Sequence, residues 1–208
     1  MHVLVLLAGI ADPKWPIAAG ADGAPDLAPL PRRLSPFDEA ALETALRLRD
    51  DAPDLRITAL MPGGPEADAL LRSAAAYRMD ALCRLPWDMQ SAWDTPALAR
   101  ALQAARAALD PAPELTLIGR EFGDCDDGAL PAFLGELCAC PYFGLAEQVS
   151  READAFVLRR ERGPLEEVAQ LHAPLLAGIT NSRSNRLRHP LLDRKSTRLN
   201  SSHSQQSR

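Results

Sequence analysis

Short apolar runs alternate with amphipathic stretches four times over, and this rhythm restricts the fold more than any other feature. "HVLVLLA" (2–8) is continuously apolar, as a strand covered on both faces should be. Ser35 then opens a helix: it can cap, Pro36 suits the first turn, and Asp38 sits at the reciprocal position of a capping box. Behind it Ala41, Leu42, Ala45 and Leu48 make one apolar stripe, with Glu43 and Arg47 expected as an i,i+4 ion pair on the outer face. The pattern repeats: "LRITALM" (55–61) as strand, 66–79 as helix, "ALCRL" (81–85) as strand, a helix from Asp94-Thr95-Pro96, "ELTLIG" (114–119) as strand and "ALPAFLGEL" as helix. This βαβα order predicts an α/β fold, a mostly parallel sheet with helices on both faces.

Two stretches break the rhythm. Residues 11–33 are rich in Pro, Gly and Asp and read as a long loop, which inside a compact domain is usually functional or mobile. After Cys140-Pro141, "YFGLAEQVS", "AFVLRRERG" and "PLEEVAQLH" are broken at Asp154 and Gly163-Pro164, which predicts a short antiparallel meander. "PLLAGIT" (174–180) is a final apolar strand.

At 208 residues and 47% hydrophobic content the chain suffices for one domain with a sizeable core. No apolar run is long enough to span a bilayer, so no membrane insertion is expected. The formal charge of −5 argues against a nucleic-acid partner, which needs a basic face. Cys83, Cys125, Cys138 and Cys140 form no disulfide framework, and the start lacks the flanks of a signal peptide, which together point to the cytoplasm. From Asp193 onward the composition switches to Ser, Gln and Arg. "DRKSTRLNSSH" (193–203) reproduces the translation of a common short-read sequencing adapter without a mismatch. Residues 193–208 are therefore read as a disordered artefact, leaving 1–192 as one nucleotide-binding domain.

Nucleophilic hydrolysis finds no support: His2, His172, His189 and His203 accompany no nucleophile elbow. The calcium-loop spacing, the Walker lysine and the Rossmann glycine fingerprint are absent, and no metal is expected. The stretch "TLIGREFGDCDDGAL" (116–130) is more suggestive. Glycines between a strand and a helix let backbone approach a ligand, and amides at the helix start can hold a phosphate. The aspartates there could meet a ribose hydroxyl or an adenine amino group, or could simply cap the helix; Ser35 and Asp38 carry the same two readings. Trp15, Trp87 and Trp93 read as packing or interface residues rather than flavin stackers.

Together, "VLVLLAGIADP", "SPFDEAALETALRLRD", "ALLRSAAAYRMD", "LTLIGREFGDCDDGALPAFLGEL" and "APLLAGITNSRSNRLRHPLL" resemble the beta subunit of electron transfer flavoprotein, including its nitrogen-fixation-associated relatives. The resemblance implies an adenine-nucleotide alpha-hydrolase-like fold and an electron carrier rather than a stand-alone enzyme. It implies a heterodimer with an alpha subunit that holds most of the FAD, and AMP or a second FAD in this chain. Electrons would come from flavin dehydrogenases and pass to a quinone-linked oxidoreductase. The nucleotide pocket would draw on Leu6, Ser35, Pro36, Phe37, Asp38 and Pro62, and on Gly119, Arg120, Gly123, Asp124, Cys125, Asp126, Gly128 and Leu130. The partner-docking loop would open a C-terminal arm at 185–192, with Asn185, Arg188, Leu191 and Leu192.

Because this arm stops at the adapter-like tail, the chain as it stands is expected to assemble poorly with an alpha subunit.

There are departures from the family pattern. Its lysine before the first loop is Ala8, its Asn before Pro-Phe is Ser35, and its Gln-Thr-Gly is Ala129-Leu130-Pro131. One charge-assisted hydrogen bond lost there would cost about 1.5–3 kcal/mol of binding. Two other readings stay open: an adenine-nucleotide-binding regulatory domain of universal-stress-protein type without redox chemistry, and a scaffold that binds nothing.

Overall fold

The computed structural model describes residues 1–21, 23–27, 29–88, 94–124 and 128–190. Strand β1 (His2–Leu6) leads into an excursion with two small antiparallel ladders. The outer one pairs β2 (Ile10–Ala11) with β5 (Arg32–Arg33), and the inner one pairs β3 (Ala18–Ala19) with β4 (Pro25–Asp26). Then follow α1 (Pro36–Asp51), β6 (Arg56–Gly63), α2 (Ala67–Ala75), β7 (Ala81–Pro86), α3 (Thr95–Ala107), β8 (Leu115–Gly119) and α4 (Ala129–Leu137). The remaining strands are β9 (Tyr142–Ala146), β10 (Gln148–Glu152), β11 (Ala155–Arg162), β12 (Leu165–His172) and β13 (Leu175–Ile179).

Six strands form a fully parallel sheet in the order β7-β6-β1-β8-β13-β9. The apolar runs explain it. Val3 and Val5 face one way, packing with α1 and α2 through Leu42, Ala45 and Leu71. Leu4 and Leu6 face the other way, against Leu98 and Leu102 of α3 and Leu134 of α4. A strand buried on both faces is expected to be apolar throughout, and β1 is from Val3 to Leu6. His2 is the exception to that chemistry. Its ring is buried between the Pro111 carbonyl (2.6 Å) and the Thr58 hydroxyl (2.9 Å), which makes it a core fastening.

Two sequence expectations need correction. "YFGLAEQVS" is not one meander strand: it divides at Glu147. β9 joins the edge of the parallel sheet, whereas β10 pairs with β11 and β12 in a separate three-stranded antiparallel sheet. Glu43 and Arg47 do not pair. Glu43 is buried and receives Arg188, while Arg47 donates to the Ser184 carbonyl. The segment after β13 lies against α1, so the face read as solvated is covered. The final strand, β13, does not extend the sheet at its edge but lies between β8 and β9.

The strand order also fixes where a ligand can enter. From β1 the chain builds outward through β6 to β7, then returns to place β8 on the opposite side of β1. Successive crossovers therefore diverge between β1 and β8, α1 to one face and α4 to the other. In open parallel sheets such a divergence is where ligands bind, here at the carboxyl ends of these two strands.

Candidate functional site at the carboxyl edge of the sheet

The loop leaving β1 and the start of α1 are joined by one carboxylate. Asp38 accepts from the amides of Ala8 (3.1 Å), Gly9 (3.0 Å) and Ser35 (2.9 Å). Ser35 accepts in turn from the Asp38 amide at 2.9 Å, completing the capping box. Asp38 is entirely buried, and this burial pushes its carboxyl above the ordinary 3.8, against the pull of the three amides. Its acceptor capacity is turned inward. Leu6 is fully buried behind the site as well, and Pro62 lies within β6 at the same edge.

The β8 loop packs closely on this corner. A Cβ at Gly119 would stand 2.8 Å from the Cβ of Phe37, so strand end and helix start meet where only glycine fits. Arg120 donates its amide to the Ile179 carbonyl at 2.8 Å, lies over the Phe37 ring at 4.9 Å and pairs outward with Glu121 at 2.7 Å. Gly123 and Gly128 adopt φ of +79° and +97°, the left-handed region open to glycine at low cost. Gly128 caps α4, and Leu130 is buried in that helix.

Between the two loops lies a guanidinium–carboxylate clasp. Asp124 accepts from the Ala11 amide through one oxygen and from Arg32 through the other, both at 2.9 Å. The same terminal nitrogen of Arg32 donates to the Gly9 carbonyl at 2.9 Å. The two side chains are 16% and 15% exposed, so the clasp is largely buried. Arg32 is brought there by the β2–β5 ladder, in which it stands opposite Ala11. No local signal marks this pair: Arg32 and Asp124 are 92 positions apart, and the only hint is the arginine pair ahead of the capping box.

The structure thus gathers Asp38, Phe37, Gly119, Arg120, Gly123 and Asp124 at one edge and adds Arg32. Cys125 and Asp126 lie outside the described residues. Of the arm residues, Asn185 is buried, receives the Ser182 amide at 2.7 Å and donates to the carbonyls of Thr180 (2.7 Å) and Glu147 (3.2 Å). Arg188 grips Glu43 through Nε, a terminal nitrogen and its own amide, and Asp50 at 2.7 Å. Leu191 and Leu192 lie outside the described residues. A cavity of about 550 Å³, lined by Leu46, Arg49, Leu55, Tyr77, Asp80 and Arg188, opens at the opposite edge, where β6 and β7 begin.

Other chemistry is sparse. Among the described residues no three His, Cys, Asp or Glu side chains converge as metal ligands. Cys83, Cys138 and Cys140 are free, and burial pushes the thiols of Cys138 and Cys140 up, away from nucleophilic thiolate. Trp15 is exposed, Trp87 is partly buried with its indole N–H unpartnered, and Trp93 lies outside the described residues. No described helix is long and apolar enough to cross a membrane.

Comparison with known proteins gives a consistent picture. Residues 30–196 match the electron transfer flavoprotein domain family. Electron transfer flavoprotein subunit beta of Mycobacterium tuberculosis is 31% identical over 169 residues, covering 76% of this chain and 60% of that protein. The acryloyl-CoA reductase electron transfer subunit gamma of Anaerotignum propionicum is 25% identical over 161 residues, 77% of this chain and 60% of that protein. Electron transfer flavoprotein subunit beta of Bradyrhizobium diazoefficiens is 24% identical over 193 residues, 92% of this chain and 76% of that protein. This chain therefore spans only three-fifths of the length of the first two.

Proposed function

The chain belongs to the electron transfer flavoprotein family as a beta-type member, and from that premise we propose that it serves as the beta subunit of a heterodimeric electron carrier. Its partner is an alpha subunit that holds most of the redox FAD. Electrons arrive from flavin dehydrogenases and leave to a quinone-linked oxidoreductase. The bound flavin supplies the redox chemistry; this chain supplies binding, orientation and exclusion of water.

At the β1–β8 edge we assign an adenine nucleotide, AMP or the adenylate end of a second FAD. The carrying observation is the largely buried Arg32–Asp124 clasp at the divergence of the two crossovers. A carboxylate beside a guanidinium is a donor–acceptor set suited to a ligand with both hydroxyls and phosphate. Asp38 acts from behind by fixing the Ala8 and Gly9 amides, and Gly119 lets the two loops close on each other. Asn185 and Arg188 fix the root of the arm, from which a docking segment can extend.

Titrating a flavin-loaded alpha subunit with this chain tests the reading. The expected result is a saturable change in flavin absorbance that reaches its plateau only with excess chain, as poor assembly requires. No response, together with tight ATP binding by the isolated chain, would instead mean a regulatory nucleotide domain without redox role.

A further inference from the structure

We infer that the outer edge of β12 is a self-association surface, on which a second copy of this chain pairs antiparallel through its own β12. The inference goes beyond the carrier and nucleotide readings above and does not depend on them. β12 lies at one side of the three-stranded sheet, with β11 as its strand neighbour. Its eight residues follow a tight turn at Gly163 and Pro164, where Gly163 adopts φ of +60°.

The direction of the main-chain groups shows what this edge offers. The Arg159 carbonyl accepts from the Glu147 amide at 2.9 Å, on the β10 side of β11. In an antiparallel pair, facing residues either exchange both bonds or turn both groups away. Val168 stands opposite Arg159, so its own N–H and C=O point outward, as do those of Glu166 and Gln170. Among the described residues nothing takes up these groups. The side chains are open as well: Val168 is 52% exposed and Leu165 67%.

Sheet edges are ordinarily guarded by charge, proline or a bulge. β12 has no proline, and its register against β11 runs unbroken. Its two acids are spent inside the hairpin, Glu166 on Arg159 at 3.4 Å and Glu167 on Arg160 at 2.6 Å. Other outer strands are closed off. β9 is interrupted by Leu145 at φ +58°, its Gly144 carbonyl is capped by Arg160 at 2.8 Å, and α1 lies against β10.

The sequence of β12 is complementary to itself. Antiparallel pairing centred on Val168 sets Val168 against Val168, Leu165 against Leu171, Glu166 against Gln170 and Glu167 against Ala169. Apolar residues then meet apolar ones, and no two acids face each other. Centring on Glu167 would oppose that acid to itself, and centring on Ala169 would set Val168 against Gln170. A twofold contact uses the same patch on both copies, so it closes as a dimer and does not grow into a fibre.

Sedimentation velocity on the full chain, over about 1–100 µM, tests this for wild type, V168P and V168K. Wild type should pass from monomer to dimer within that range, as a small interface dictates. V168P removes an outward N–H, which an edge strand tolerates, and should weaken the dimer at least about tenfold with an unchanged urea midpoint. V168K places like charges on the twofold axis and should weaken it too, with partial recovery at high salt. In wild type, the amides of Glu166, Val168 and Gln170 should exchange more slowly in concentrated than in dilute solution. A wild type that stays monomeric throughout, or that forms species larger than a dimer, overturns the inference. So do variants that dimerise as wild type does, or edge amides whose exchange ignores concentration. Should V168P fail to fold, V168K and the exchange rates decide the matter.

Discussion

Two arginine–carboxylate junctions join distant parts of this chain, and they are built to different ends. At the arm root, Arg188 gives Nε, a terminal nitrogen and its backbone amide to Glu43, and reaches Asp50 as well. Glu43 is only 8% exposed. At the carboxyl edge, Arg32 uses one terminal nitrogen for both Asp124 and the Gly9 carbonyl. The first junction fastens a segment to α1 with two side-chain nitrogens and a backbone amide set against two carboxylates. The second links the loops after β1 and β8 through a single nitrogen. The number of bonds at each junction, more than its charge, separates the two.

The comparison can be broken by substitution. The largest effect should fall on Asp38, which belongs to neither pair but supports the second from below. D38N places amide hydrogens against backbone N–H donors and should cost about 3 kcal/mol, read as a lower urea midpoint. Because burial raises the Asp38 pKa, its contribution is fully present below the ordinary 3.8 and lost as pH rises through the folded value. Stability followed from pH 4 upward should decline in wild type over that window and remain flatter in D38N. Next, E43Q at the arm root should cost about 1–2 kcal/mol, the 38%-exposed Arg188 partly recovering its hydration, and should speed amide exchange across 181–190. R32Q should cost about 1 kcal/mol: the pair is largely buried, but Arg32 commits one nitrogen and Asp124 keeps the Ala11 amide. Equal losses for E43Q and R32Q would erase the distinction.

How much of this could be read in the sequence depends on the range of each interaction. β1, β6, β8 and the capping box of α1 were legible because their signals are local: continuous apolar runs and a Ser-Pro-Phe-Asp start. The insertion of β13 between β8 and β9 was not, since apolar strands carry no mark of their neighbours. Glu43 looked solvated because helical spacing cannot reveal a covering segment 145 residues away. The site was half legible. Asp38, Gly119 and Asp124 stood out by turn and cap chemistry, but the inward use of Asp38 needed the amides of Ala8 and Gly9 in view. Arg32 sat in a Pro- and Gly-rich stretch whose small ladders leave no period to detect.

Hydrogen exchange with and without AMP separates the two regions most directly. Protection should rise at the amides of Gly9 and Ala11 and across 119–124, with no change across 181–190. Protection appearing instead around Leu55, Tyr77 and Asp80, where the opposite cavity lies, would contradict the placement of the site at the carboxyl edge.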